Sequence, residues 1–312
     1  MEIISGVHNI KPRHRGCVVA LGNFDGVHLG HQQILARLCE AAEQRGVPSA
    51  LVTFEPQPRE FFAGAKVPAR LTRFREKVVL LKRSQLDRLI CLPFNERTAN
   101  TSAAWIAQEF LHDQLGAEFV LLGDDARFGR GAEGDFAMLS TMGESLGYTV
   151  GQMDTYTIDD ARVSSSRIRE VLAAGQFELA ERLLGHEYFI MGRVVYGRQL
   201  GRQLGVPTAN VRLQRYRAAL EGVYAVTVSG IGQEVLTGVA NIGVRPTVDG
   251  KEPLLETHIF DFRGDIYGQL MSVTFKHKIR DEQAFGSIDE LKAQIERDIK
   301  TARDWFAAHG TT

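Results

Sequence analysis

One short passage constrains this chain more than any other. An apolar run, Cys17-Val18-Val19-Ala20-Leu21, passes directly into Gly22-Asn23-Phe24-Asp25-Gly26-Val27-His28-Leu29-Gly30-His31-Gln32. A continuous apolar run of that length reads as a strand buried on both faces. From about Gly30 to Gly46, Ile34, Leu35, Leu38 and Ala42 recur on one helical face. The glycines and both histidines therefore occupy a turn that leaves a strand and opens a helix. In an open α/β sheet ligands bind in that crevice, and the N–H groups of a helix start favour anions. Gly22, Gly26 and Gly30 let a ligand approach the backbone, and His28 and His31, three apart, face the same side. Imidazole N–H groups there suit phosphate oxygens that gain charge in a transition state. Alone, a glycine-rich turn or a histidine pair is a weak signal. Its weight here comes from strand, spacing and helix coinciding.

The next segments repeat the strand–helix alternation. Ala50 to Phe54 reads as a strand, closed by Glu55-Pro56-Gln57-Pro58, whose prolines force an extended loop. A helix is expected around Phe74 to Lys82, a strand at Leu89 to Leu92, a helix from Ala103 to Leu115 and a strand at Phe119 to Leu122. That order predicts a parallel sheet with crossover helices. The last strand runs into Gly123-Asp124-Asp125-Ala126-Arg127-Phe128-Gly129, on its own an ordinary charged loop. Arg162-Val163-Ser164-Ser165-Ser166-Arg167-Ile168-Arg169 then opens a helix with serines, the residues of an N-cap. Flanked by Arg162 and Arg167, the same start suits a pyrophosphate.

The texture changes at Gly185-His186. Beyond Tyr188, short β-rich stretches such as Val223 to Val228 and Leu270 to Lys276 alternate with glycines, without helices between them. This predicts an antiparallel barrel, and a division into 1–186 and 187–312. Gly197, Gly201 and Gly205 recur every four residues and lead into Val206-Pro207-Thr208-Ala209-Asn210. So many glycines disfavour a helix, and a basic flap is expected. Thr208 and Asn210 are hard oxygen donors on alternate residues of an extended segment, an arrangement suited to Mg²⁺ bound with phosphates. A closing helix carries Ile288, Leu291, Ile295, Ile299, Ala302 and Phe306 as its packing stripe.

Composition narrows the remaining classes. At 312 residues the chain is long for one domain, and 44% apolar with 24% charged residues is ordinary for a soluble globular protein. A net charge of −1 argues against a general nucleic-acid or membrane surface. Cys17, Cys39 and Cys91 form no CxxC pair, which points to a reduced compartment and no structural zinc. No signal-peptide or membrane-length apolar stretch is seen, so a cytoplasmic location is expected; weak self-association stays open.

The first motif resembles the HxGH nucleotidyltransferases, and Gly22 to His28 resembles their FAD synthetase branch. Gly123 to Gly129 is similar to that family's G-[DE]-D-F-R-F-G, and Val163 to Arg169 to its I-S-S-T-R-I-R. Gly197 to Asn210 resembles the riboflavin kinase signature G-R-x-L-G-x-P-T-A-N, joined by Gly222-Val223-Tyr224-Ala225, Gly238 to Thr247 and Leu255-Glu256-Thr257-His258. Over nearly its whole length the chain resembles the bifunctional bacterial riboflavin kinases/FAD synthetases. The resemblance implies phosphorylation of riboflavin to FMN by ATP, then adenylylation of FMN to FAD. It implies ATP phosphates at His28, His31, Ser164, Ser165 and Arg167, with Gly22, Asn23, Phe24, Asp25, Gly30, Asp125 and Arg162 around the nucleotide. In the second site it implies nucleotide contacts from Gly201, Arg202, Gly205 and Pro207, Mg²⁺ at Thr208 and Asn210, and Glu256 as the base. Two residues depart from the pattern: Gln57 stands where His is common, and Ala126 where Phe is. Two other readings stay open: an HxGH transferase with a different phosphate acceptor, and a flavin-binding protein with one inactive site.

Overall fold

The computed structural model describes residues 1–197, 201, 205–247 and 250–311, with the backbone alone described at 244–247 and 250–252. The chain divides into two compact units, one of residues 1–67 and 74–164, the other of 68–73 and 165–312.

The first unit runs β1 (Glu2–Ser5), β2 (Cys17–Leu21), α1 (Leu29–Arg45), β3 (Ser49–Glu55), α2 (Pro58–Ala63), α3 (Phe74–Leu81) and β4 (Arg88–Pro93). It continues with α4 (Glu96–Ala99), α5 (Ala103–Trp105), a π-helical stretch Ile106–Gln114, β5 (Ala117–Leu122), α6 (Phe136–Leu146), β6 (Thr149–Gln152), and the hairpin strands β7 (Thr157–Ile158) and β8 (Ala161–Arg162). Six parallel strands form one sheet in the order β1-β4-β3-β2-β5-β6. Alternation along the strands sends Cys17, Val19, Ala50, Val52, Ile90, Val120 and Leu122 to one face. There they pack on Phe110, Leu111, Leu115 and Leu139. Helix α1 packs on β2 and β3 and buries Leu35, Leu38, Ala41 and Ala42. Of its expected face, only Ile34 stays half-buried. The chain adds β3 and β4 on one side of β2, then returns to add β5 on the other. The end of β2 is therefore a topological switch point. Edge strands β1 and β6 have no counterpart in the sequence reading. Each has four residues, mostly exposed or half-buried, so backbone pairing to β4 and β5 defines them rather than any apolar pattern.

The second unit contains α7 (Ser165–Ala173), α8 (Phe177–Leu184), β9 (Phe189–Val195), β10 (Ala209–Arg212), β11 (Gly222–Ser229), β12 (Leu236–Thr247), β13 (Gly250–Ile259), β14 (Leu270–Arg280) and α9 (Ile288–His309). Its six longer strands close an antiparallel barrel in the order β10-β13-β12-β11-β14-β9. Val223, Ala225 and Val239 turn outward and pack with Phe260 on Ala302 and Phe306 of α9. By alternation Val226, Val228, Val273 and Phe275 take the opposite face, and Tyr224 meets Phe275 edge-on at 5.4 Å. Ile299, Ala302 and Phe306 of the expected stripe thus cover a barrel wall, whereas Ile288 at the helix start stays 62% exposed.

Candidate active sites

In the first unit, Gly26 takes a left-handed φ of 88° that glycine accepts freely. Phe24 and Val27 take φ of 48° and 43°, a strained conformation for a bulky and a β-branched side chain. The turn is held in shape by packing. The Phe24 ring stacks on His31 at 4.6 Å between centroids, and His31 stacks on His28 at 3.6 Å. Gly22 is required beneath them, because a Cβ there would lie 2.8 Å from the Phe24 ring. His28 caps α1: its Nδ1 accepts the His31 backbone N–H at 3.4 Å. Neutral His28 then carries its proton on Nε2, as a donor. Burial, aided by His28 and Lys77, pushes His31 well below the usual imidazole range, so its ring is uncharged at neutral pH.

The residues expected around a nucleotide fall into two groups. Gly22, Asn23, Phe24, Asp25, His28, Gly30 and His31 gather in this turn. Asp125 and Arg162 also meet: the guanidinium pairs with Asp125 at 2.8 Å and with Asp124 at 3.0 Å. Ser164 ends the first unit, whereas Ser165 and Arg167 lie in the first turn of α7, in the second unit. Ala126 helps line a cavity of about 450 Å³ with Asp124, Asp125, Arg127, Phe136 and Gln152.

Among the described residues, three buried polar atoms at the carboxyl ends of the strands have no hydrogen-bond partner: Asn23 Oδ1, His31 Nδ1 and Gln57 Nε2. Such atoms are rare in a folded chain unless a ligand or solvent meets them. The sequence reading passed over an aromatic platform at the same end of the sheet. Phe54, Phe61 and Phe62 surround Phe94 at 5.5 to 5.7 Å, edge to face, with Phe62 70% exposed. Its only signal was the adjacent pair Phe61-Phe62 after Pro58.

In the second unit, strand pairing assembles the other group. Asn210 of β10 lies directly opposite Glu256 of β13, which lies opposite Asn241 of β12. Residues paired in this way project from the same face, so the three side chains form one row. Asn210 is buried and its Oδ1 has no partner among the described residues, while its Nδ2 donates to the Thr208 carbonyl at 3.2 Å. A Cβ on Gly197 would lie 2.7 Å from the Asn210 amide, and one on Gly201 3.4 Å from Thr208 Oγ1. These two glycines let the backbone approach two oxygen-bearing side chains, a donor type that suits Mg²⁺. The His258 ring donates to the Pro207 carbonyl at 2.8 Å and holds this segment to β13. Gly205 takes φ 80°. Arg202 lies outside the described residues.

The FAD synthetase family model matches residues 10–167 and the riboflavin kinase model residues 184–306. A Pseudomonas fluorescens bifunctional riboflavin kinase/FMN adenylyltransferase is 50% identical over 305 residues, 97% of each chain. The chain belongs to the bifunctional riboflavin kinase/FMN adenylyltransferase family. The Escherichia coli K12 member of that family is 47% identical over 307 residues, 98% of each chain. A solved Streptococcus pneumoniae structure, described as a macrolide-efflux protein, superposes with a TM-score of 0.80 at 29% identity, covering 98% of this chain and 100% of that one. Among the described residues no helix is long and apolar enough to cross a membrane. As a riboflavin kinase/FMN adenylyltransferase, the chain converts riboflavin to FMN and FMN to FAD, with ATP as co-substrate in both steps.

Proposed function

We propose that the two reactions use separate residues, with adenylyl transfer within 1–186 and the kinase within 187–312. The observation that supports separate sites, though not the boundary at 186, is that the His28–His31 stack and the Asn210–Glu256 pair belong to different compact units, which divide between Ser164 and Ser165. In the kinase reaction Glu256 accepts the proton of the riboflavin 5′-hydroxyl as that oxygen bonds to the γ-phosphorus and ADP leaves. Asn210 and Asn241 stand opposite Glu256 on the two neighbouring strands. Thr208 and Asn210 would hold Mg²⁺, which would supply positive charge for the ATP phosphates. Gly201, Arg202, Gly205 and Pro207 contact the nucleotide.

In the second reaction the FMN phosphate, ionised at neutral pH, attacks the α-phosphorus of ATP and pyrophosphate leaves, so no base is required. His28 and His31 donate to phosphate oxygens as negative charge moves toward the leaving group. Arg167, Ser164 and Ser165 hold the phosphates, Asp125 and Arg162 border the nucleotide, and the Phe61–Phe62–Phe94 platform offers the flavin ring a stacking surface. The three free cysteines and the net charge of −1 support work in the cytoplasm on small molecules, without nucleic acid or membrane. Incubation with riboflavin, ATP and Mg²⁺ followed by flavin chromatography tests the division. The doubly substituted His28→Ala/His31→Ala chain should accumulate FMN and form no FAD. Parallel loss of FMN formation in the folded variant would refute separate sites.

A further inference from the structure

Beneath the glycine-rich turn lies a charged group that the reactions above leave without a role. Lys77, on α3, is fully buried. Its Nζ donates to the Asn23 carbonyl at 2.5 Å and to Thr53 Oγ1 at 3.2 Å, and the Thr53 hydroxyl also reaches the Asn23 carbonyl at 3.5 Å. The helix buries Lys77 together with Glu76, Leu80 and Leu81. Taking an ammonium out of water is costly even when it is hydrogen-bonded, so a buried lysine in a cleft is a candidate for function.

The carbonyl it holds belongs to the residue before Phe24, the first strained residue of the turn. From there a chain of contacts leads to the phosphate-facing groups: Asn23, the Phe24 ring, His31 and His28. Thr53 brings in the end of β3, the strand beside β2. We propose that Lys77 is a positioning residue for adenylyl transfer, its ammonium fixing Asn23 against Thr53 so that the Phe24–His31–His28 stack is set before ATP arrives. The proposal rests on adenylyl transfer occurring at His28 and His31. Lys77 touches neither substrate nor reacting atoms. It removes the turn's freedom to relax out of its strained conformation, and geometric slack near reacting atoms is expensive in rate. The same charge also lowers the His31 pKa, after burial and His28.

The test uses the full chain with both activities read in one preparation. Lys77→Met, similar in length but uncharged, should lower kcat for FAD formation from FMN and ATP roughly 10- to 100-fold with a smaller change in KM. FMN formation from riboflavin should stay within about twofold. Lys77→Arg, which keeps charge and donors, should recover at least about a threefold part of the loss, and the His31 imidazole should titrate higher in Lys77→Met by NMR. FAD formation within about twofold of the parent in Lys77→Met, or Lys77→Arg no better than Lys77→Met, overturns the proposal. If Lys77→Met loses both activities through misfolding, Thr53→Val decides. A drop of about threefold in FAD formation alone supports the proposal, and no drop overturns it. His28→Ala runs in parallel. If that variant still makes FAD at the parental rate, the placement of the site is wrong; if it fails while Lys77→Met does not, only the role of Lys77 is wrong.

Discussion

The turn after β2 is built so tightly that single atoms matter. Gly22→Ala puts a Cβ 2.8 Å from a Phe24 ring that is itself 3% exposed and stacked on His31. We expect FAD formation to fall more than about tenfold, with FMN formation unchanged in the same assay. His31 carries a pH signature. Burial lowers its pKa in the folded chain, so below the unfolded value of about 6.5 the unfolded chain binds a proton that the folded chain does not. That contribution is present above about pH 6.5 and is lost as the pH falls below it. The unfolding midpoint should therefore decline from pH 7 toward pH 5, more shallowly in His31→Gln; equal slopes would show that His31 is not the cause. In the barrel, Glu256→Gln keeps size and hydrogen bonding but takes no proton, so kinase turnover should drop roughly 10²- to 10⁴-fold. Turnover within about tenfold of the parent would remove the base assignment. Ala126 lines the cavity together with Asp125, Phe136 and Gln152. Ala126→Phe should lower KM for FMN or ATP by roughly tenfold, about 1.4 kcal/mol, and unchanged KM values for both would show the gap is already filled.

Among the elements, α9 depends on one polar clamp as well as on its apolar stripe. Arg280 at the end of β14 donates through Nε and Nη2 to the buried Asp298 carboxylate at 2.8 to 3.0 Å, and Gln294 Nε2 adds a contact at 2.8 Å. Removing the cation leaves a carboxylate that is only 4% exposed without its charge partner. Arg280→Met should cost about 3–5 kcal/mol in denaturant unfolding. Asp298→Asn should cost less, because Arg280 retains some access to water. The apolar spacing of α9 predicts barrel packing, which holds for Ile299, Ala302 and Phe306 but not for the exposed Ile288. Nothing in that spacing showed a buried ion pair, since Asp298 interrupts the pattern like any surface acid. The four-residue edge strands escaped for a related reason: their sequences are too short and polar to carry a period.

At the scale of the whole molecule, Pro68–Arg73 are numbered with the α/β half yet belong to the barrel unit. Arg215 donates to the Arg70 carbonyl at 2.9 Å, the Tyr188 hydroxyl to the Leu71 carbonyl at 3.3 Å, and the Arg169 guanidinium to the Ala69 carbonyl. Leu71 and Thr72 are buried there. A fragment from Tyr188 to Thr312 holds every kinase motif but leaves these carbonyls behind. Each buried donor left without its partner costs about 1–3 kcal/mol. The fragment should melt several degrees below the barrel transition of the full chain and phosphorylate riboflavin more slowly. A fragment as stable and active as the intact chain would show that the strap contributes nothing.

The sequence alone determined the central strand–helix alternation of the first half, the strand–turn–helix with its glycines and histidines, and the change to short strands past residue 186. It did so because each rests on local chemistry: apolar period, glycine geometry and capping. It also carried enough motif to place the chain in its family. Only the tertiary structure decided that His28, His31 and Phe24 form one stack, that Asn210, Glu256 and Asn241 stand in a row, and that residues 68–73 pack with the barrel. Lys77 is the plainest case. In sequence it is one more charged residue on a short helix, and only burial beneath the turn makes it a tether. These facts depend on pairing register and on contacts between residues tens of positions apart, which no local pattern records.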